Sequence, residues 1–275
     1  MPDWLLDFFG INNLFNLAQS GWNFFMLITY SMIGKTPENY SPGAWSYVTD
    51  TLYPWFLAIG LTLLNIFCMI GFIRQASNLK ENVTIEMWIE LFIKVIIANV
   101  LMSNGISLMQ DIMSMGGTMS STIMSTHFPS VYSSEMDIGA VLVYLVFGLI
   151  YSIAAAVCGG MILLEVMGRY LNLYMLVAVS PVALSTIAGG RGLDSAAHAW
   201  IKSFLTTVFQ IVVIAIVLQI GDKMMESSAY VDATSTPLDW FDGAGSVMMS
   251  FITMIFLTTA VKGADGFLKR AFDLR

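Results

Sequence analysis

The chain has 275 residues, of which 57% are hydrophobic and 11% charged, with a formal net charge of −7 and a mean hydropathy of +0.74. A soluble domain carries roughly 25% charged residues, so this composition excludes a water-soluble enzyme and makes the lipid bilayer the main solvent. At roughly 20 residues per crossing, the length allows about five bilayer spans with short loops.

The first residues, Met1 to Asp7, contain no basic cluster, so insertion is expected to rely on internal spans. Residues 4–33 mix Leu, Phe and Ile with Asn12, Asn13, Asn16, Gln19 and Asn23. That mixture predicts an amphipathic helix lying on a membrane face, and residues 1–50 are read as an external N-terminal segment ahead of one transmembrane helical domain over 51–275. Pro37, Pro42 and Gly43 make a loop before the first clear span, 52–73, which Arg74 ends. Over 84–113 a helical apolar pattern is interrupted by Glu90, Lys94, Asn99 and Asn104, which predicts a span with one side turned to protein or water. Residues 114–137, rich in Ser, Thr, Gly and Met and containing Pro129, predict an extramembranous loop.

From Ile138 to Ile187 the chain stays apolar, broken by Gly159-Gly160, by Glu165 and Arg169, and by Ser180-Pro181. Further spans are expected over 200–220 and 247–261, the last followed by Lys262, Lys269, Arg270 and Arg275. Segments 1–50, 111–137 and 222–245 together hold two basic and twelve acidic residues, whereas segments 74–86, 188–202 and 262–275 hold eight basic and five acidic. The positive-inside rule therefore places the N-terminus outside and the C-terminus in the cytoplasm. That orientation demands an odd number of crossings, so 138–187 should cross once. The reading is an all-α polytopic bundle of about five crossings, with 171–190 a broken or re-entrant element interrupted at Ser180-Pro181.

Sequence motifs for catalysis are lacking. Gly34-Lys35-Thr36 resembles the end of a phosphate-binding loop, but the required earlier glycine is Thr29 here. His127 and His198 have no Cys or carboxylate at metal-ligand spacing, and Cys68 and Cys158 sit in apolar runs as small hydrophobes. No catalytic residue, metal or cofactor is expected. Two acid-first ion pairs at i, i+4 spacing, Glu90 with Lys94 and Glu165 with Arg169, mark helix faces turned into the bundle or toward a hydrated path. Asn65, Asn99, Asn104, Gln210 and Gln219 fit the same path or serve as interhelical hydrogen-bonding groups. Ser152, Ala156 and Gly160 make a small-residue face at four-residue spacing.

The run Ala178-Val-Ser-Pro-Val-Ala-Leu184, then Gly190-Arg-Gly-Leu193, then Ala199-Trp-Ile-Lys202 resembles a pattern in TrbL-like membrane proteins of type IV secretion. There an apolar helix ends in a proline-containing segment, a short basic turn follows, and a Trp opens the next span; Pro181, Arg191 and Trp200 occupy those places. The chain looks like the compact relatives carried by conjugative elements of Gram-positive bacteria. The resemblance implies a channel component of the bacterial cytoplasmic membrane that helps DNA or protein cross. It implies contact with membrane lipid, homo-oligomerisation, and assembly with ATPases and other secretion subunits, and supplies no catalytic residues. The competing expectation is a small-molecule transporter or permease, for which a discontinuous helix would mark the binding site.

Overall fold

A computed structural model describes residues 11–77, 85–124, 141–189, 194–226 and 244–271. Among the described residues the chain is helical throughout and contains no strand. Helix α1 covers Ile11–Ile33, α2 Pro37–Tyr40, α3 Pro42–Tyr47, α4 Tyr53–Ser77, α5 Ile85–Ser103, α6 Gly105–Ile123, α7 Val141–Ser185, α8 Ser195–Glu226 and α9 Ala244–Ala271. Four stretches are long and apolar enough to cross a membrane: Pro42–Ile73, Gly148–Gly189, Ser195–Lys223 and Phe251–Ala271. The pair Trp88–Ser103 and Gly105–Ile123, bent by 68°, makes a fifth when counted as one broken span. The protein is a multi-pass helical membrane protein of about five crossings, as the composition and span pattern lead one to expect.

Local chemistry sets the helix boundaries. Thr36 caps α2, its hydroxyl oxygen accepting from the Asn39 N–H, and Pro37 and Pro42 stand in the first turns of α2 and α3, where a missing N–H costs nothing. Between α3 and α4 the chain widens into a π turn, Val48–Leu52. Pro54 lacks an N–H and its ring crowds the carbonyl four residues back, and the wider turn directly before it relieves that crowding.

The broken element lies at Asn104 rather than at Ser180-Pro181. Helix α7 runs 45 residues straight through Pro181 to Ser185 and ends in a 3-10 turn, Thr186–Gly189, so 171–190 is not re-entrant. Pro181 cannot donate to the carbonyl of Val177, but the Ser180 hydroxyl donates to that same carbonyl at 2.8 Å. A backbone group that would be orphaned in lipid is thus satisfied one residue away, and the helix continues. Gly60 of α4 supplies the other half of the accommodation, for a Cβ there would lie 2.8 Å from the Pro181 carbonyl oxygen. Residues 114–123, expected in a loop, extend α6 instead. Ser114, Ser121 and Thr122 bond back to their own helix, Ser114 to the Asp111 carbonyl at 2.8 Å and Thr122 to the Thr118 carbonyl at 2.8 Å, which lowers the penalty that made the segment read as a loop.

The described residues gather into two compact units, one from 1–34, 118–168 and 211–266, the other from 35–117, 169–210 and 267–275. In the first, α1 buries Ala18, Trp22, Met26, Thr29 and Ile33 along one face and leaves Leu17, Phe24 and Leu27 exposed. That face packs within the unit: Phe25 lies against Gly159, and the carbonyl of Ile33 accepts from Ser120. Gly221 of α8 makes room for Leu257 of α9. In the second unit, Leu64, Ala98, Met102, Leu184 and Ala188 form a core with Trp200 at its edge. Gly71 admits the Ala188 carbonyl, where a Cβ would stand 2.9 Å away. Helices α7 and α8 contribute to both units.

Candidate functional site, the polar groups of the spans

The second unit holds most of the polar residues singled out in the spans. Glu90 and Lys94 form the ion pair that their spacing predicts, 2.7 Å apart on an exposed face of α5. Asn99 lies exposed two turns on, its Oδ1 accepting from Ser103 at 3.4 Å. Asn104 stands at the break itself, and its Nδ2 donates to the Val100 carbonyl at 3.1 Å.

The break leaves carbonyls at the end of α5 without their usual helical donors. The hydroxyl of Tyr53 serves one of them by donating to the Met102 carbonyl at 2.5 Å, whereas the Val100 carbonyl keeps its helical donor, the Asn104 N–H at 3.0 Å, and takes the Asn104 side chain as a second. Gly105 is required beside it, because a Cβ there would stand 2.6 Å from the Tyr53 oxygen. Beyond the break, Ser107, Asp111, Ser114 and Thr118 recur at three- and four-residue spacing, all exposed on α6. Together with Glu90, Lys94 and Asn99 they furnish α5 and α6 with a sequence of uncovered polar groups in a chain built for lipid.

Arg169 is placed differently. It is 1% exposed, its Nε donates to the Thr207 carbonyl at 3.0 Å, and its Nη2 donates to the Val208 carbonyl at 3.3 Å. The guanidinium carbon sits 5.1 Å from the centre of the Tyr170 ring, and Nη1 has no hydrogen-bond partner among the described residues. The tyrosines that follow tie the same stretch to Lys35 and helix α2: Tyr170 donates to the Lys35 carbonyl and Tyr174 to the Pro37 carbonyl, each at 2.8 Å, and the Tyr40 ring stacks on Tyr170 at 4.1 Å. Glu165, half-buried, lies one turn earlier on α7 in the first unit. Thus the acid-first spacing yields a surface ion pair at Glu90, while Arg169 is a buried cation whose donors grip the backbone of α8.

The residues that carried the family pattern sit around the α7–α8 turn. Pro181 is buried against Gly60, and the indole N–H of Trp200 donates to the Leu176 carbonyl at 3.0 Å while its ring stacks on Phe204. Thr186 links the turn to α8 by accepting from the Ala197 N–H. Arg191 lies outside the described residues, as does His127. Lys35 and Thr36, the residues of the phosphate-loop look-alike, serve instead as an acceptor for Tyr170 and as a helix cap.

In the first unit, Tyr30 of α1 stands near Gln219 and Asp222 of α8. Burial and then the Asp222 charge push its hydroxyl well above the ordinary tyrosine range. Tyr53, Tyr30 and the exposed stripe of α6 escaped sequence reasoning, since a Tyr in an apolar run carries no mark of its hydroxyl's partner. The three- and four-residue recurrence from Ser107 to Thr118 was the one signal that could have found α6. Among the described residues no cluster of metal-ligating side chains occurs. Comparison with protein-family models, with curated proteins and with solved structures gives no match.

Proposed function

We propose that this chain is a channel or scaffold subunit of a conjugative type IV secretion machine, resident in the bacterial cytoplasmic membrane with its N-terminus outside and its C-terminus in the cytoplasm. The observation that carries the reading is the uncovered polar series of α5 and α6, Glu90, Lys94, Asn99, Ser107, Asp111 and Ser114. Such groups are expensive against lipid, so they face water or other protein. One bundle of about five helices is too thin to surround a nucleic acid strand, so several copies share the path. The sequence pattern of Pro181, Arg191 and Trp200 carries the TrbL-like resemblance on which the secretion reading rests. The partners are other copies, further secretion subunits and their ATPases, and DNA or protein in transit. The chain is proposed to have no catalytic turnover of its own.

Deleting the gene in its native host and scoring cell-to-cell transfer of the surrounding mobile element tests this. Loss of transfer, restored by the intact chain, is the expected result; undiminished transfer overturns the reading. A small-molecule transporter is the second reading, and the break at Asn104 favours it, because discontinuous helices build transporter sites at the membrane midplane. Substrate uptake that survives loss of transfer partners would select it.

A further inference from the structure

Between the bend of α5–α6 and the first turns of α8, the second unit contains a cavity of about 160 Å³. Leu101, Gly105 and Leu108 line one side, and Leu184, Trp200 and Leu205 the other. Every lining group is apolar, and the indole N–H of Trp200 is committed to the Leu176 carbonyl, so the walls offer water no partner. Apolar cavities of about 150 Å³ stay dry and take up hydrocarbon the size of benzene. The cavity is not sealed: Leu108 is exposed, and Leu101 and Leu205 are half-exposed. What lies outside is set by the residues beside the mouth. Ile97, one turn before Leu101, and Met115, two turns after Leu108 on the same face of α6, are both exposed. Ser107, Asp111 and Ser114, the polar stripe of α6, stand roughly 140° around that helix from the residues that line the cavity, at about 100° per residue. The mouth therefore opens on the apolar side of membrane-spanning segments, where the medium is lipid hydrocarbon and not water.

We propose that this cavity is a binding site for uncharged hydrocarbon, occupied by a segment of an acyl chain of the surrounding bilayer, with no contribution from the lipid headgroup. A void leaves its walls without dispersion partners on one side, and an acyl chain is as apolar as the leucines it meets there. The chain segment moves from one hydrocarbon environment to another, so those contacts are gained without a desolvation cost. The site depends on the membrane class of the protein and not on its role in secretion.

Met109 and Phe204 make the test selective, because both line the cavity and both are otherwise buried, at 3% and 2% exposure. Bulk lipid reaches neither. The full chain is reconstituted in phosphatidylcholine vesicles containing a small fraction of phosphatidylcholine with a diazirine on one acyl chain, illuminated, and mapped for adducts by mass spectrometry. Adducts are expected on Met109 or Phe204 as well as on the exposed Ile96 and Val100. Leu205→Phe, which fills the cavity, should lower the Met109 and Phe204 adducts at least fivefold relative to those on Ile96 and Val100, and moving the diazirine to the headgroup should abolish them. Leu101→Phe replaces Leu205→Phe if the latter loses helical circular dichroism. Adducts confined to exposed residues, the outcome if the cavity is vacant or a second copy covers its mouth, overturn the proposal. So does labelling of Met109 and Phe204 that a folded cavity-filling variant leaves unchanged or that a headgroup diazirine reproduces.

Discussion

Arg169 and Ser180 show how single side chains stabilise a helix-rich protein in a solvent that offers no hydrogen bonds. Arg169 gives two donors to consecutive carbonyls of α8 from a position that is 1% exposed. Arg169→Ala removes both and leaves a cavity, and it should lower stability by about 2–4 kcal/mol, since hydrogen bonds to charged groups contribute roughly 1.5–3 kcal/mol. Unfolding in mixed micelles measures this, and a change under about 0.5 kcal/mol would contradict the assigned role. Ser180 permits a sharper test. Ser180→Ala orphans the Val177 carbonyl only while residue 181 is proline, so it should cost about 1–2 kcal/mol in wild type and close to nothing beside Pro181→Ala, which restores the N–H donor. Equal costs in the two backgrounds would show that the hydroxyl does not repair the helix. Tyr30 sets a pH dependence. Its hydroxyl is harder to ionise folded than unfolded, so its contribution to stability is complete below the unfolded pKa near 10 and is lost as pH rises through the folded value. Tyr30→Phe should therefore flatten the alkaline decline in stability.

At the level of elements, close backbone approach is concentrated at a few glycines, and their substitution should divide sharply. Gly60→Ala brings a Cβ to within 2.8 Å of the Pro181 carbonyl oxygen and should cost about 2 kcal/mol or more, whereas a Cβ at Gly160 meets nothing within 4 Å. Gly160→Ala should be neutral or slightly stabilising within one copy, because alanine favours helix by about 1 kcal/mol. Comparing the two thermal midpoints checks the contrast. The break between α5 and α6 is held by Tyr53, and Tyr53→Phe should broaden the distance distribution between spin labels on the two helices. Spans were legible because long apolar runs between polar turns have few other uses, and α4, α8 and α9 fall where hydropathy puts them. Breaks were not. Proline at 181 advertises an interruption that Ser180 and Gly60 cancel, while Asn104-Gly105 looks like ordinary span polarity until Tyr53 is seen to serve the freed carbonyl. Both outcomes depend on partners remote in sequence. The ion pairs divided likewise: spacing sufficed for Glu90 with Lys94, but the partners of Arg169 are backbone carbonyls about forty residues on, which no side-chain pattern announces.

At the scale of the whole molecule, the uncovered polar series of α5 and α6 is what a bilayer would not tolerate against its hydrocarbon, and assembly of several copies around a hydrated path resolves it. The exposed apolar residues of α5, Phe92, Ile93, Ile96 and Val100, supply the contrast, since they suit lipid. The decisive measurement places single cysteines at Ser107, Asp111 or Ser114, which share one stripe of α6, and in parallel at Ile93 or Ile96, in a chain with Cys68 and Cys158 replaced, and scores transfer of the mobile element before and after a charged, membrane-impermeant thiol reagent. Transfer should fall at least tenfold for the polar positions and remain unchanged for the apolar ones. Equal sensitivity of the two sets, or insensitivity of both under conditions where labelling of the polar positions is complete, would contradict a shared path along α5 and α6.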